Sequence, residues 1–256
     1  MEFAAEYERN DKGEILFPSD RKLRMELFRH KEVSHPGHNN LYMVDGLVEY
    51  LTKPGDSVLD PMAGQGSLMW SARTGRKVVL IELEPMYFEQ LRKNQPSFEG
   101  DILLLEGDCL TYLPLPPVFT SVIFSPPYSN QFHKGSGRGV ETVSDKARAG
   151  VQEFIRTDGN IGLLDDFMFS RTLKAVYEGC YNSLLPGGSM AIIIKDRMAK
   201  GKRVELGKQT VRVATEVGFT LDEWHSREAV GALFGRFNLM RGIEQVTDES
   251  IIIFRK

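Results

Sequence analysis

The sequence predicts a doubly wound α/β domain with about seven strands and helices on both faces of one sheet. Three observations predict it. Short β-branched runs alternate with helical patterns from about Leu41 to the end. Several of these runs are continuously apolar, such as Val78-Val79-Leu80-Ile81 and Ala191-Ile192-Ile193-Ile194. Such runs suit parallel strands covered on both faces. A glycine-containing turn, Gly64-Gln65-Gly66, sits between the first run and the next helical pattern.

The expected strands are Ser57–Asp60, Lys77–Leu83, Ile102–Gly107, Ser121–Ser125, Ser189–Lys195, Thr220–His225 and Ser250–Phe254. The helices between them carry start and stop signals. Asn39 or Asn40 can cap a helix that stops at Lys53-Pro54-Gly55. Pro85 suits a first helical turn, with Met86, Phe88 and Leu91 after it. Asp165 or Asp166 can cap a helix bearing Phe169, Leu173, Val176, Cys180 and Leu184, ended by Leu185-Pro186-Gly187-Gly188. A further helix carries Leu206, Val211, Val213, Ala214 and Val217 and stops at Gly218. Three stretches break the rhythm. Residues 1–38 read as a polar arm and a short helix capped at Ser19, leaving 39–256 as one domain. Residues 129–165 form an insert too long for an ordinary connection, so a functional segment is expected there. Residues 226–249 form a second long loop, on the substrate side.

Composition narrows the classes. The 256 residues are 41% hydrophobic and 26% charged, which excludes disorder or a fibrous repeat as a description of the whole. No apolar run approaches the roughly 20 residues that span a bilayer, so no membrane partner is expected. The acidic N-terminus has no apolar stretch behind a basic flank, so no secretory signal is read there. Cys109 and Cys180 are the only cysteines. Their spacing makes neither a disulfide framework nor a zinc site, and a reducing, cytoplasmic setting is expected. His30, His35, His38, His133 and His225 form no helical H-x-x-x-H pair, so no metal is expected. Thirty-two Lys+Arg against 35 Asp+Glu give a net charge of −3. That excludes a generally basic coat but not a local basic groove.

The chemistry concentrates at strand ends. In Asp60-Pro61-Met62-Ala63-Gly64-Gln65-Gly66-Ser67 the glycines permit a tight turn and close ligand approach. The leading acid disfavours a pyrophosphate and favours a cationic or hydroxyl-rich ligand end. Two glycines alone would be a generic turn. However, Glu82 ends the second strand about twenty residues on, where a carboxylate can accept from ribose hydroxyls. Glu84 lies on the same face by period 2 and is the alternative. Asp108 ends the third strand and could accept from an adenine amine. Three acids at consecutive strand ends indicate a nucleoside pocket. After the fourth strand comes Ser125-Pro126-Pro127-Tyr128. The prolines lack N–H groups, which leaves carbonyls to accept from an exocyclic amine, with the Ser125 hydroxyl as a second acceptor. Tyr128 can stack on a flipped base.

On these residues the chain resembles the S-adenosylmethionine-dependent amino methyltransferases of DNA. The family pairs a D-P-x-x-G-x-G loop with a [DNS]-P-P-[YFW] tetrapeptide. The resemblance spans roughly 35–256 and implies a Rossmann-like class I methyltransferase sheet with S-adenosyl-L-methionine as cofactor. It assigns Asp60, Pro61, Ala63, Gly64 and Gly66 to the methionine-side loop, Glu82 to the ribose and Asp108 to the adenine. His35 and Asn40, in His35-Pro36-Gly37-His38-Asn39-Asn40-Leu41, match a segment flanking the methionine end. Ser125, Pro126, Pro127 and Tyr128 match the catalytic tetrapeptide. The departures at Met62, Gln65 and Ser67 preserve the glycines. The cofactor segments precede the tetrapeptide, which excludes the permuted order. Serine in its first position favours N4 of cytosine over N6 of adenine. C5 methylation would need a nucleophilic cysteine in a Pro-Cys setting, which neither cysteine has.

DNA is the expected partner, with basic loops 133–156, 197–212 and 227–241 as candidate contacts. RNA and a non-catalytic cofactor-binding subunit are the alternatives, and a homodimer stays open. No separate recognition domain has room, so a short target site is expected. Restriction-modification, an orphan mark and phage self-protection all fit.

Overall fold

Each expected apolar run becomes a strand. The computed structural model describes residues 2–31, 38–127, 159–199, 202–229 and 245–256. The first strands are β1 (Ser57–Asp60), β2 (Lys77–Glu82), β3 (Asp101–Glu106), β4 (Phe119–Phe124) and β5 (Leu184–Ile194). A short hairpin, β6 (Arg197–Ala199) and β7 (Lys202–Val204), follows, then β8 (Thr220–Glu228) and β9 (Asp248–Arg255). One seven-stranded sheet runs in the order β3-β2-β1-β4-β5-β9-β8. The pairs among β1 to β5 are parallel, and β9 runs antiparallel between β5 and β8. Strand order reverses between β1 and β4, which opens a crevice at their carboxyl ends.

The continuously apolar runs divide by period 2 into two cores. Val58, Val78, Leu80, Ile123, Ala191, Ile193, Ile251 and Ile253 face one layer, with α2 (Leu41–Leu51) and the 3-10 helix Ser67–Thr74. Leu59, Ile81, Val122, Phe124, Met190, Ile192, Ile194, Ile252 and Phe254 face the other, with the helices Asp166–Ser183 and Leu206–Val217. Both sets are buried, which is why polar alternation is missing from these strands.

The helix signals are largely realised. Asn40 caps α2, its side chain accepting from Met43 N at 3.1 Å. Of the other helices, α3 spans Pro85–Asn94, α4 Cys109–Tyr112, α5 Asp166–Ser183 and α6 Leu206–Val217. Asp165 caps α5, accepting from Met168 N at 2.8 Å. Gly218 ends α6 at φ +117°, a conformation that suits glycine.

Four expectations are corrected. The buried face of α3 is Tyr87, Gln90, Leu91 and Asn94, so of its expected apolar residues Leu91 is buried, Phe88 half-buried and Met86 exposed. Ser19 is not the cap of α1 (Arg21–Leu27). Asp20 occupies that position, and Ser19 Oγ lies 3.5 Å from Arg21 N. β5 begins at Leu184 rather than Ser189. Phe119 pairs with Leu184 and Ser121 with Ser189, so Leu185-Pro186-Gly187-Gly188 is accommodated as an irregularity within the strand. The polar reading of residues 1–38 also missed their packing. Phe3, Ile15 and Phe28 join the first core, and Ile15 exchanges hydrogen bonds with β8 through Ser226 O and Glu228 N. This segment caps part of an otherwise open sheet edge.

Candidate functional site

Parallel pairing sets the site. Val58 and Leu59 of β1 lie opposite Ser121 and Val122 of β4. The loop after Asp60 and the segment after Phe124 therefore leave neighbouring strands at the same edge. Ser125-Pro126-Pro127 begins beside the glycine loop, with Pro126 buried and its two neighbours half-buried. Tyr128 lies outside the described residues.

The glycine loop needs its glycines. Gly64 and Gly66 have φ of +52° and +73°. A Cβ at Gly66 would lie 2.4 Å from Leu91 Cδ2 and 2.8 Å from Met69 Cε. Pro61 and Ala63 are buried, and Ala63 N donates to Ile81 O at 2.9 Å. This bond ties the loop to β2.

Glu82 completes the tie. Its Oε2 accepts from Gly64 N at 2.6 Å and its Oε1 from Glu84 N at 2.9 Å. The structure thus separates the two acids that period 2 left equivalent. Glu82 reaches the loop, whereas Glu84 precedes α3 and accepts from Asn160 Nδ2 at 2.8 Å. Asp60 Oδ1 accepts from Met62 N at 2.9 Å. Both Asp60 and Glu82 are about 6% exposed. Burial pushes Asp60 up to about 7, against the Met62 hydrogen bond. Burial likewise pushes Glu82 up to about 8. Two acids this costly to ionise suit a ligand that brings hydroxyl donors or positive charge.

The third acid lies close by. Asp108 follows Gly107 (φ +133°) and caps α4, its Oδ1 accepting from Leu110 N at 2.9 Å. Gly159 approaches so closely that a Cβ there would lie 2.9 Å from Asp108 Oδ2. The end of the long insert is therefore ordered against the acids. Asn160 holds Glu84, and Ile161 is buried in the second core. Sequence reasoning missed Asn160, because an Asn-Gly-rich stretch gives no periodic signal.

The Asn40 side chain is engaged locally, capping α2 and donating from Nδ2 to Pro18 O at 2.8 Å. His35 lies outside the described residues. A second group missed by sequence reasoning joins this segment to the loop. Arg24 Nη2 donates to Asp20 Oδ2 (3.0 Å), Asn39 O (2.5 Å) and Ser67 Oγ (3.2 Å). Ser67 Oγ also donates to Asn39 O at 3.1 Å. The only advance signal was the i, i+4 spacing of Asp20 and Arg24.

Both cysteines are reduced and buried. Burial pushes Cys109 up to about 12, with Asp108 adding repulsion, so its thiol stays protonated. Among the basic residues, Arg203 pairs with Asp196 and Asp248, both at 2.7 Å, and Arg227 pairs with Glu249 at 2.6 Å. Those two cations therefore hold the β6–β7 hairpin and the sheet edge together. Residues 133–156, Lys200 and 230–241 of the basic loops lie outside the described residues. Among the described residues, no helix is long and apolar enough to cross a membrane.

No protein-family profile matches the chain, and no curated protein matches it in sequence. Solved structures do match in fold. A methyltransferase from Pyrococcus furiosus aligns with a TM-score of 0.55 at 15% identity, covering 93% of this chain and 94% of that one. The N-methyltransferase NodS from Bradyrhizobium japonicum WM9, solved with S-adenosyl-L-homocysteine, aligns with a TM-score of 0.52 at 12% identity, covering 92% and 97%. The fold of this chain is the Rossmann-like class I methyltransferase fold.

Proposed function

We propose that this chain uses S-adenosyl-L-methionine to methylate an exocyclic amine of a base flipped out of DNA, with N4 of cytosine favoured over N6 of adenine. One observation carries the reading: Ser125-Pro126-Pro127 leaves β4 directly beside the glycine loop that leaves β1. An acceptor for an amine and a turn suited to a nucleoside thus share one crevice. The class I methyltransferase neighbours support the cofactor.

The chain's own groups fit that ligand. Each Glu82 oxygen takes one backbone N–H, and each retains a lone pair for a ribose hydroxyl. Asp60 offers a buried carboxyl to the cationic end, where positive charge favours its ionised form. Asp108 keeps Oδ2 for an adenine amine while Oδ1 caps α4. When bound, S-adenosylmethionine supplies an electrophilic methyl group. The Ser125 hydroxyl and Pro126 carbonyl accept the two amine hydrogens of the target base. Neither proline offers a competing N–H. Those bonds favour a pyramidal nitrogen whose lone pair leaves the ring and attacks the methyl in line as the methyl–sulfur bond breaks; S-adenosylhomocysteine is the leaving group, and the methylated amine gives up one proton to solvent. No covalent enzyme intermediate is needed, consistent with two protonated, buried thiols. Flipping costs a few kcal/mol, which basic segments must offset through phosphate contacts.

The test is methyl transfer from labelled S-adenosylmethionine to unmethylated DNA, with total RNA in parallel and nucleoside analysis of the product. N4-methylcytosine in DNA is the expected product. N6-methyladenine would keep the mechanism and overturn the base preference. Label in RNA alone would overturn the DNA assignment. No transfer despite measured cofactor binding would indicate a non-catalytic subunit.

A further inference from the structure

The guanidinium of Arg24 is unusual among the described side chains. It is 7% exposed, and Nη1 has no hydrogen-bond partner. Buried polar groups are normally satisfied, so an uncommitted donor next to a ligand loop points to a ligand. The rest of the group is rigidly held. Nε and Nη2 both donate to Asp20 Oδ2, at 3.2 and 3.0 Å. The same oxygen accepts from Leu41 N at 3.0 Å, at the start of α2. Nη2 also reaches Asn39 O and Ser67 Oγ. The Arg24 carbon Cζ lies 4.9 Å from the Phe28 ring centroid. Ser67 directly follows Gly66, so Nη2 ties the Arg24 guanidinium to the end of the glycine loop opposite the Gly64–Glu82 bond, and Nη1 is the one nitrogen of that buried group left without a partner.

We propose that Arg24 is the cofactor's carboxylate-binding residue, with Nη1 donating to the α-carboxylate of the methionine moiety. This inference rests on the cofactor reading above. The chemistry is specific. Guanidinium binds carboxylate through charge-assisted bonds. Asp20 occupies one edge of the fork, which fixes the direction of the other. The placement also divides the pocket by charge: acids Asp60, Glu82 and Asp108 toward the nucleoside and sulfonium, and one buried cation toward the carboxylate. Helix α1 thereby becomes part of the cofactor site.

Two probes test this by calorimetry on the full chain. One is S-adenosylhomocysteine. The other is 5′-deoxy-5′-(3-aminopropylthio)adenosine, which differs only by lacking the carboxylate. Wild type is expected to prefer the first by about 10- to 100-fold. In Arg24→Gln the preference falls to less than about threefold, through weaker binding of the carboxylate-bearing probe alone. Wild type with no preference overturns the inference without any variant. So does Arg24→Gln weakening both probes equally, since Arg24 would then only hold the loop. If Arg24→Gln does not fold, Arg24→Lys, which keeps the charge opposite Asp20, is read by the same ratio. Wild type that binds neither S-adenosylmethionine nor S-adenosylhomocysteine would refute the cofactor reading instead.

Discussion

Replacing Glu82 by glutamine tests whether the strand-end acids are buried against their charge. Burial raises Glu82 from an ordinary 4.5 to about 8, opposed by the Glu84 and Gly64 N–H groups and reinforced by Asp60 and Glu84. Between those values the folded chain keeps a proton that the unfolded chain has lost. Stability from this group is therefore full below about 4.5 and falls as pH rises toward 8, by about 1.4 kcal/mol per pH unit. Glutamine carries no such proton. At pH 5 the variant should be less stable by about 1 kcal/mol, because its amide turns a donor toward Gly64 N or Glu84 N. From pH 5 to pH 7 it should then gain about 2–3 kcal/mol on wild type. Urea unfolding of both ligand-free proteins at pH 5, 6 and 7 measures the difference. A difference constant to within about 0.5 kcal/mol across that range would refute the argument that Glu82 is held neutral. The same variant should bind S-adenosylhomocysteine about tenfold more weakly, having lost one acceptor for the ribose.

Three other outcomes follow from the geometry. Gly66→Ala places a Cβ at φ +73° against Leu91 and Met69, so it should destabilise by about 1–3 kcal/mol in urea unfolding and weaken cofactor binding. Unchanged stability and affinity would show that the loop tolerates a side chain. Ser125→Ala, and equally Tyr128→Ala, should abolish turnover while leaving S-adenosylhomocysteine affinity within about threefold, by single-turnover assay and calorimetry. A large affinity loss in Tyr128→Ala would count against its assignment to the base. Cys109→Ala should keep at least about half of the wild-type rate, since its thiol is buried and protonated at neutral pH. Loss of product that serine also fails to restore would point to a cysteine nucleophile.

Strand positions were legible because period 2 and buried parallel pairing leave an unmistakable apolar run in the chain. Val78 to Ile81 shows this, its residues divided between two cores. The glycine loop was legible for a similar reason. Positive φ and close packing at Gly66 exclude other residues, so the requirement is written in the residue type. Glu82 and Asp108 could be singled out in the sequence because strand ends are where such a sheet presents its ligands.

Other features arose only through distance in the chain. Period 2 cannot distinguish Glu82 from Glu84. The 2.6 Å bond to Gly64 does, across 18 residues of sequence. Arg203 and Arg227 look like nucleic-acid contacts in a linear charge count, yet their partners Asp248 and Glu249 arrive on β9. The first 31 residues look polar because their apolar side chains are few and scattered. Phe3 and Ile15 gain their environment only when β8 and α2 are already in place. Arg24 is the strongest case. Its i, i+4 partner was visible, but burial against Asn39 and Ser67, 15 and 43 residues away, is what singles it out. Residue type and local spacing thus determined the sheet and the acids along its edge. Only long-range packing decided which charges are paired within the fold and which keep an uncommitted donor, because burial and pairing belong to neighbours in space.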